Sequence, residues 1–164
     1  MEAPDGLSGS SCRAGDKYQW PGLDDDRPLS VPGHREAHGL LARLRDYPTT
    51  RILTSPALRC VQTVKPLSLR RAVPIEVVDA LRVDSPVEGL LELVTDPGLE
   101  GTVVCGHGEQ IGALVRQLAD GGLLIDAPLV WAKGSTWVLD TSQGRVVGGR
   151  YLAPLRLKDL AGHY

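Results

Sequence analysis

Two short segments of this chain put an arginine and a histidine where an anion could be held. In Ile52-Leu53-Thr54-Ser55-Pro56-Ala57-Leu58-Arg59-Cys60-Val61-Gln62-Thr63, a buried-looking strand turns into a helix whose first turn carries Arg59. In Val103-Val104-Cys105-Gly106-His107-Gly108, a second apolar run ends on His107, and its flanking glycines let backbone come close to a ligand. Both places read as carboxyl ends of parallel strands beside helix N-termini, where unpaired N–H groups and the helix dipole favour negative charge. An arginine and a histidine converging there would bind a phosphoryl group. Lys17 and Arg27, on the loop upstream, could line the mouth of such a pocket. Asp84 precedes Ser85-Pro86 and could instead help cap a helix.

The elements that must position these groups follow from periodicity. After Ser30, a candidate cap, apolar residues recur at Ala37, Leu40, Leu41 and Leu44, the spacing of a helix with one buried face. The same offsets return at Val87, Leu90, Leu91, Val94 and at Ile111, Leu114, Val115, Leu118. A fourth helix is expected to open at Ser55-Pro56, with Ser55 capping and proline in the first helical position. Thr50 to Thr54, Ile75 to Val78 and Thr102 to Cys105 are β-branched and nearly continuously apolar, which suits strands covered on both faces. Trp137-Val138-Leu139 and Val146 to Tyr151, around a turn at Ser142-Gln143-Gly144, read as a terminal hairpin, and Trp131 and Trp137 read as packing residues. Alternation of strand and helix implies an α/β three-layer sandwich, a mostly parallel sheet flanked by helices. Met1 to Ser11 has no alternation and no apolar run, so residues 1–13 read as a disordered tail, the first strand missing or degraded. One domain is expected over residues 14–155, followed by a C-terminal tail over 156–164.

Composition narrows the function classes. A chain of 164 residues, 42% hydrophobic, suits one core. The net charge of -2 and the lack of a basic run argue against a nucleic-acid or membrane partner. Cys12, Cys60 and Cys105 are odd in number and form no CxxC pair, so neither a disulfide framework nor a zinc site is expected. Asp24-Asp25-Asp26 reads as a solvated loop, since no second ligand cluster accompanies it. With neither a signal segment nor a membrane-length apolar run, the chain reads as cytoplasmic.

The segments RPLSVPGHREA, SPALRCVQT and VVCGHGEQI resemble the first-helix, second-arginine and second-histidine motifs of the histidine phosphatase superfamily, also called phosphoglycerate mutase-like. The resemblance is best to its small phosphohistidine phosphatase branch and runs from about Ala14 to about Leu155. Lys133-Gly134-Ser135-Thr136-Trp137-Val138-Leu139 is also similar to the closing strand of the phosphatase-like half of mycobacterial Nudix fusion proteins. The resemblance implies a phosphomonoesterase working through a phosphohistidine intermediate, without metal or other cofactor. The implied substrate is a small phosphorylated molecule or a phosphohistidine protein. It makes Arg59 the pocket arginine, His107 the second histidine and Asp84 the proton donor.

It also calls for an Arg-His pair at the end of the first strand, the histidine being the nucleophile. Ser10 and Ser11 stand at those positions. A serine needs an adjacent base to attack, whereas a neutral imidazole does not, so the chain as written reads as inactive, or as a pseudophosphatase that holds phosphorylated ligands. One hypothetical origin is a shifted reading frame. If Ser10-Ser11-Cys12 is encoded TCG-TCA-TGC, the frame one base later gives Arg, His and, with a following C, Ala, and the same shift allows Pro4 to Gly9 to become Leu, Thr or Met, Val, Phe or Tyr, Leu, Val. The first coding bases test this: the shift requires those codons, and any other serine codons at positions 10 and 11 refute it.

Overall fold

The computed structural model describes residues 6–11, 14–123, 125 and 128–155, the first six by their backbone alone. Six strands form one sheet in the order β3-β2-β4-β1-β5-β6. They are β1 (Gly6–Ser11), β2 (Arg51–Thr54), β3 (Ile75–Val77), β4 (Thr102–Gly106), β5 (Thr136–Ser142) and β6 (Arg145–Leu152). β1 to β4 run parallel, while β5 pairs antiparallel with β1 and with β6. Four helices connect them: α1 (Val31–Arg43), α2 (Leu58–Arg71), α3 (Val87–Val94) and α4 (Gly108–Asp120).

The side-chain alternation of strands explains the three layers. Ile52, Val103 and Cys105 point to one face, where Leu40 of α1, Leu44 at its C-terminal cap and Cys60, Val64 and Leu67 of α2 cover them. Leu53 and Val104 point to the other, under Leu90 and Val94 of α3 and Leu114 of α4. The apolar spacing read from the sequence is the spacing that meets the sheet. Ser30 caps α1 as expected, its hydroxyl accepting from the Gly33 N–H at 3.1 Å. The hairpin turns on Gln143 and Gly144, both at positive φ, the geometry whose twist matches the flanking strands.

The principal correction is at the front. Gly6–Ser11 is a strand rather than a tail, and it occupies the middle of the sheet between β4 and β5. Its register sets Ser10 opposite Cys105 and Ser11 opposite Gly106. A ladder is made by backbone N–H and C=O groups, which every non-proline residue carries, so two open neighbouring edges can recruit a segment with no strand-like side-chain pattern. The rest of the expected tail, residues 1–5, 12 and 13, lies outside the described residues, as does the expected C-terminal tail 156–164. Two smaller corrections concern β3 and α2. β3 is an edge strand with Glu76 and Val77 exposed, so it is not covered on both faces. α2 begins at Leu58, with Ala57 rather than Ser55 before it, because the Ser55 hydroxyl is engaged elsewhere.

Trp131 and Trp137 both pack, as expected, in a cluster with Ile111 and Val115. The Trp137 indole N–H also donates to the Val130 carbonyl at 2.8 Å, and the Arg116 guanidinium lies 4.5 Å from the Trp131 ring centre. Gly112 on α4 is where Trp131 comes closest: a Cβ there would lie 2.5 Å from the ring. Leu53 is fully enclosed between β2 and the α3–α4 layer, whereas Leu69 on α2 is exposed. Leu53→Ala is expected to cost roughly 2–5 kcal/mol in urea unfolding, against under about 0.5 kcal/mol for Leu69→Ala.

Candidate functional site

Parallel pairing of β2 with β4 sets Thr54 opposite Cys105, so the two strand-to-helix junctions lie side by side. Arg59 is the second residue of α2 and His107 immediately precedes α4. Both are buried, with 4% and 7% of their surfaces exposed. The Arg59 Nη2 lies 3.4 Å from His107 Nδ1, and Ser55 Oγ lies 2.9 Å from His107 Nε2. A guanidinium can only donate, so Nδ1 accepts; the neutral ring then carries its proton on Nε2, facing Ser55. Ser55 Oγ also accepts from the Ala57 N–H at 3.3 Å, which fixes the hydroxyl at the junction.

Burial pushes the His107 pKa down to about 4, and the Arg59 charge pushes the same way, against the attraction of Asp25, Asp24 and Asp84. The imidazole is therefore neutral at physiological pH. The arginine keeps its charge and takes a different partner. Arg59 Nη2 is 3.0 Å from Asp24 Oδ2, and Nη1 donates to the Asp24 carbonyl at 2.7 Å. Arg27, buried beside it, donates to Asp24 Oδ1 from Nη2 at 2.9 Å and from Nε at 3.1 Å, and to the Gly15 carbonyl from Nη1. Burial alone would raise the Asp24 pKa; the Arg27 hydrogen bonds and the charges of Arg59 and Arg27 outweigh it and hold the carboxyl below its ordinary value.

Of the residues picked from the sequence, Arg59 and His107 come together and Arg27 joins them through Asp24. Arg27 is a buried wall residue rather than an exposed mouth charge. Lys17 lies exposed on the loop before it, without a bond to the Arg59–His107 pair. Asp84 is exposed and makes no cap hydrogen bond to α3. It lines an open cleft of about 570 Å³ with Leu23, Asp24, Asp25, Arg82 and Val83. Ser10 and Ser11 end β1 beside Cys105 and Gly106, the last residues of β4 before His107.

Three participants escaped the sequence reading. Ser55 holds the imidazole instead of capping α2. Asp24 bridges two buried guanidiniums, so the acidic run is not simply a solvated loop; Asp25 pairs with Arg82 at 3.4 Å. Gln110, one turn into α4, donates from Nε2 to the carbonyls of Ser85 at 3.0 Å and Ala80 at 3.4 Å, tying the Asp84 loop to the helix that follows His107. A Gln three residues after His107 at a helix start was the available signal. Among the described residues, no cluster of three or more His, Cys, Asp or Glu side chains could hold a metal ion, and no helix is long and apolar enough to cross a membrane.

A buried Arg-His pair thus stands at the carboxyl ends of parallel strands in an α/β protein, and comparison with known proteins sharpens the class. Residues 16–85 match the family model of the histidine phosphatase superfamily (branch 1). The chain is 32% identical over 148 residues to an 8-oxo-(d)GTP phosphatase of Mycolicibacterium smegmatis, aligning 86% of its own length but spanning only 45% of that relative. Among solved structures it resembles two proteins assigned as SixA phosphohistidine phosphatases. The one from Agrobacterium tumefaciens has a TM-score of 0.69 at 24% identity, over 92% of this chain and 99% of the other. The one from Nakamurella multipartitia has a TM-score of 0.70 at 24% identity, over 94% and 99%. The protein histidine phosphatase SixA complexed with tungstate matches at TM-score 0.67 and 20% identity, over 90% and 94%. The chain thus has the histidine phosphatase fold, and the family it matches is one of hydrolases of phosphatase type.

The pKa shift has a consequence for stability. The folded-state value of about 4 lies below the ordinary 6.5, so the neutral His107 contributes stability that is complete above about pH 6.5 and is lost as pH falls toward 4. Allowing for solvent screening at the cleft, the loss is on the order of 2 kcal/mol. Chemical denaturation of His107→Gln across this window is expected to show a correspondingly shallower acid decline than the unsubstituted chain.

Proposed function

We propose that this chain is a histidine-phosphatase-type phosphomonoesterase by descent, with Arg59 and His107 forming a phosphoryl pocket, and that as written it lacks turnover. The observation that carries the reading is the convergence of Arg59 and His107, 3.4 Å apart, beside the strand end occupied by Ser10 and Ser11. The guanidinium is fixed and fully charged, which suits it to equatorial phosphoryl oxygens. The neutral imidazole adds no charge, and its one N–H, held by Ser55, would have to turn from that hydroxyl to reach a phosphoryl oxygen. In an intact version, a histidine at position 11 would attack phosphorus, the leaving-group oxygen would take a proton from a carboxylic acid, and water would then cleave the phosphohistidine. Asp84, exposed in the cleft, is the carboxyl we assign to that proton.

Serine at positions 10 and 11 supplies neither the missing guanidinium nor the imidazole. The alternative reading, a pseudophosphatase that binds without hydrolysis, is favoured by the same pocket retaining its second Arg and His. A small phosphorylated molecule or a phosphohistidine protein is the ligand class we infer; the phosphatase relative of Mycolicibacterium smegmatis and the SixA likeness support both.

The test is hydrolysis of p-nitrophenyl phosphate by the chain as written and by the triple variant Ser10→Arg, Ser11→His, Cys12→Ala. The written chain is expected to be silent and the variant to gain at least about 100-fold over background, with His107→Ala abolishing most of the gain. Turnover by the written chain that survives His107→Ala refutes the pocket, whereas phosphate-ester binding without turnover in every variant supports the binding module.

A further inference from the structure

We propose that Asp24 is a resident counter-ion of the anion pocket, a carboxylate paired with Arg59 that an incoming phosphoryl group must displace. The proposal rests on the phosphoryl-pocket reading above and adds a residue that sets how tightly the pocket takes its ligand. Four contacts carry it. One Asp24 carboxylate oxygen meets Arg59 Nη2 at 3.0 Å, the other meets Arg27 Nη2 at 2.9 Å and Nε at 3.1 Å, and the Asp24 carbonyl takes Arg59 Nη1 at 2.7 Å. The two guanidiniums are buried, but the Asp24 side chain is 38% exposed and borders the open cleft. The carboxylate therefore sits between solvent and the cations, on the path an anion must take.

The element that carries it is built to move. Asp24–Asp26 is one 3-10 turn with no buried residue and no side-chain cap at its start. Its neighbour Leu23 is 76% exposed, and the turn is held from outside by the Asp25–Arg82 pair between half-exposed side chains, which contributes little. Moving this turn outward gives up the two Asp24 contacts to Arg59 and no buried side chain of the turn itself, and the carboxylate keeps its bonds to Arg27, three residues on, as it moves. A phosphoryl dianion arriving at Arg59 replaces a monoanionic carboxylate with a group of higher charge and more acceptor oxygens, so exchange is favourable for phosphate esters and unfavourable for carboxylates or halides. Leaving Arg59 without either would expose a buried charge with no partner, which is why the latch is occupied when the ligand is absent.

The experiment titrates inorganic phosphate into the full-length chain, following the 31P line width, for the unsubstituted chain and for Asp24→Asn, Arg59→Ala and Glu76→Gln. Asparagine keeps the shape and removes the charge; Glu76 pairs with Arg51 on the remote sheet edge and controls for the loss of any carboxylate. Asp24→Asn is expected to bind phosphate at least about tenfold more tightly than the unsubstituted chain, Glu76→Gln unchanged, and Arg59→Ala to lose binding. Equal or weaker binding by Asp24→Asn, with binding still lost in Arg59→Ala, overturns the latch and leaves the pocket standing. Binding indifferent to Arg59→Ala, or absent in every chain, overturns the pocket and the latch together. Circular dichroism and thermal melting of each variant separate lost binding from lost folding, and Asp24→Ala serves as the second charge-removing variant with the same expected gain.

Discussion

The site depends on β4 being paired in parallel on both of its edges. With β2 on one side and β1 on the other, three carboxyl ends lie level, and the turns that leave β2 and β4 bring Arg59 and His107 within contact. Parallel pairing of this kind requires cover on both faces. Ile52 and Val103 are sealed by α1 and α2, Leu53 and Val104 by α3 and α4. A one-residue slip of β2 against β4 would exchange these faces and carry Thr54 away from Cys105, so the burial that stabilises the sheet also fixes the register on which the chemistry rests.

The charges at those strand ends settle in a definite order. A guanidinium cannot release its proton within the range a protein survives, so Arg59 and Arg27, once buried, must find anions. Asp24 serves both. The imidazole can release its proton, and with Arg59 beside it and little solvent around it, it does. The outcome is a neutral His107 held between a donor, Arg59, and an acceptor, Ser55, with its orientation set by both. Two cations, one shared carboxylate and a neutral ring leave a net positive centre behind an acidic rim of Asp25 and Asp84. Arg59 and Arg27 are thus the buried cations of the site, while the cleft at its mouth carries Asp25 and Asp84 together with Arg82.

How much of this was legible in the sequence depends on whether the relevant contacts are local. The 3.6-residue spacing of Ala37 to Leu44, Val87 to Val94 and Ile111 to Leu118 is a direct image of burial, and all three helices appear where it places them. Arg59 and His107 were readable because each follows an apolar run at the point where a helix begins. Asp24 was not, since its local pair with Arg27 says nothing of a site, and what ties the acidic turn to His107 is an arginine 35 positions later in the chain. Ser55-Pro56 carried a valid local helix-start signal that lost to a tertiary one: the hydroxyl that could have capped α2 meets His107, and the helix starts at Leu58. β1 was invisible for the opposite reason, because its ladder to β4 and β5 is made by backbone groups, which leave no periodic signal in the sequence.

That last case separates the two tasks a first strand has in this fold. As a structural member it supplies backbone hydrogen bonds to β4 and β5, and Gly-Leu-Ser-Gly-Ser-Ser can do so in full register from Gly6 opposite Asp140 to Ser11 opposite Gly106. As a catalytic member, under the proposed reading, it must present a guanidinium and an imidazole at its final two positions, and that depends wholly on side-chain identity. The ladder tolerates replacement because its bonds are common to all non-proline residues; the chemistry does not, because a serine hydroxyl has neither a fixed charge nor a nucleophilic nitrogen. A chain can therefore keep the fold, the second arginine and the second histidine while losing the reaction at two adjacent residues. Arg59 is carried by α2, His107 by the turn from β4 into α4 and Ser55 by the turn after β2, so the contacts among these three come from elements other than β1.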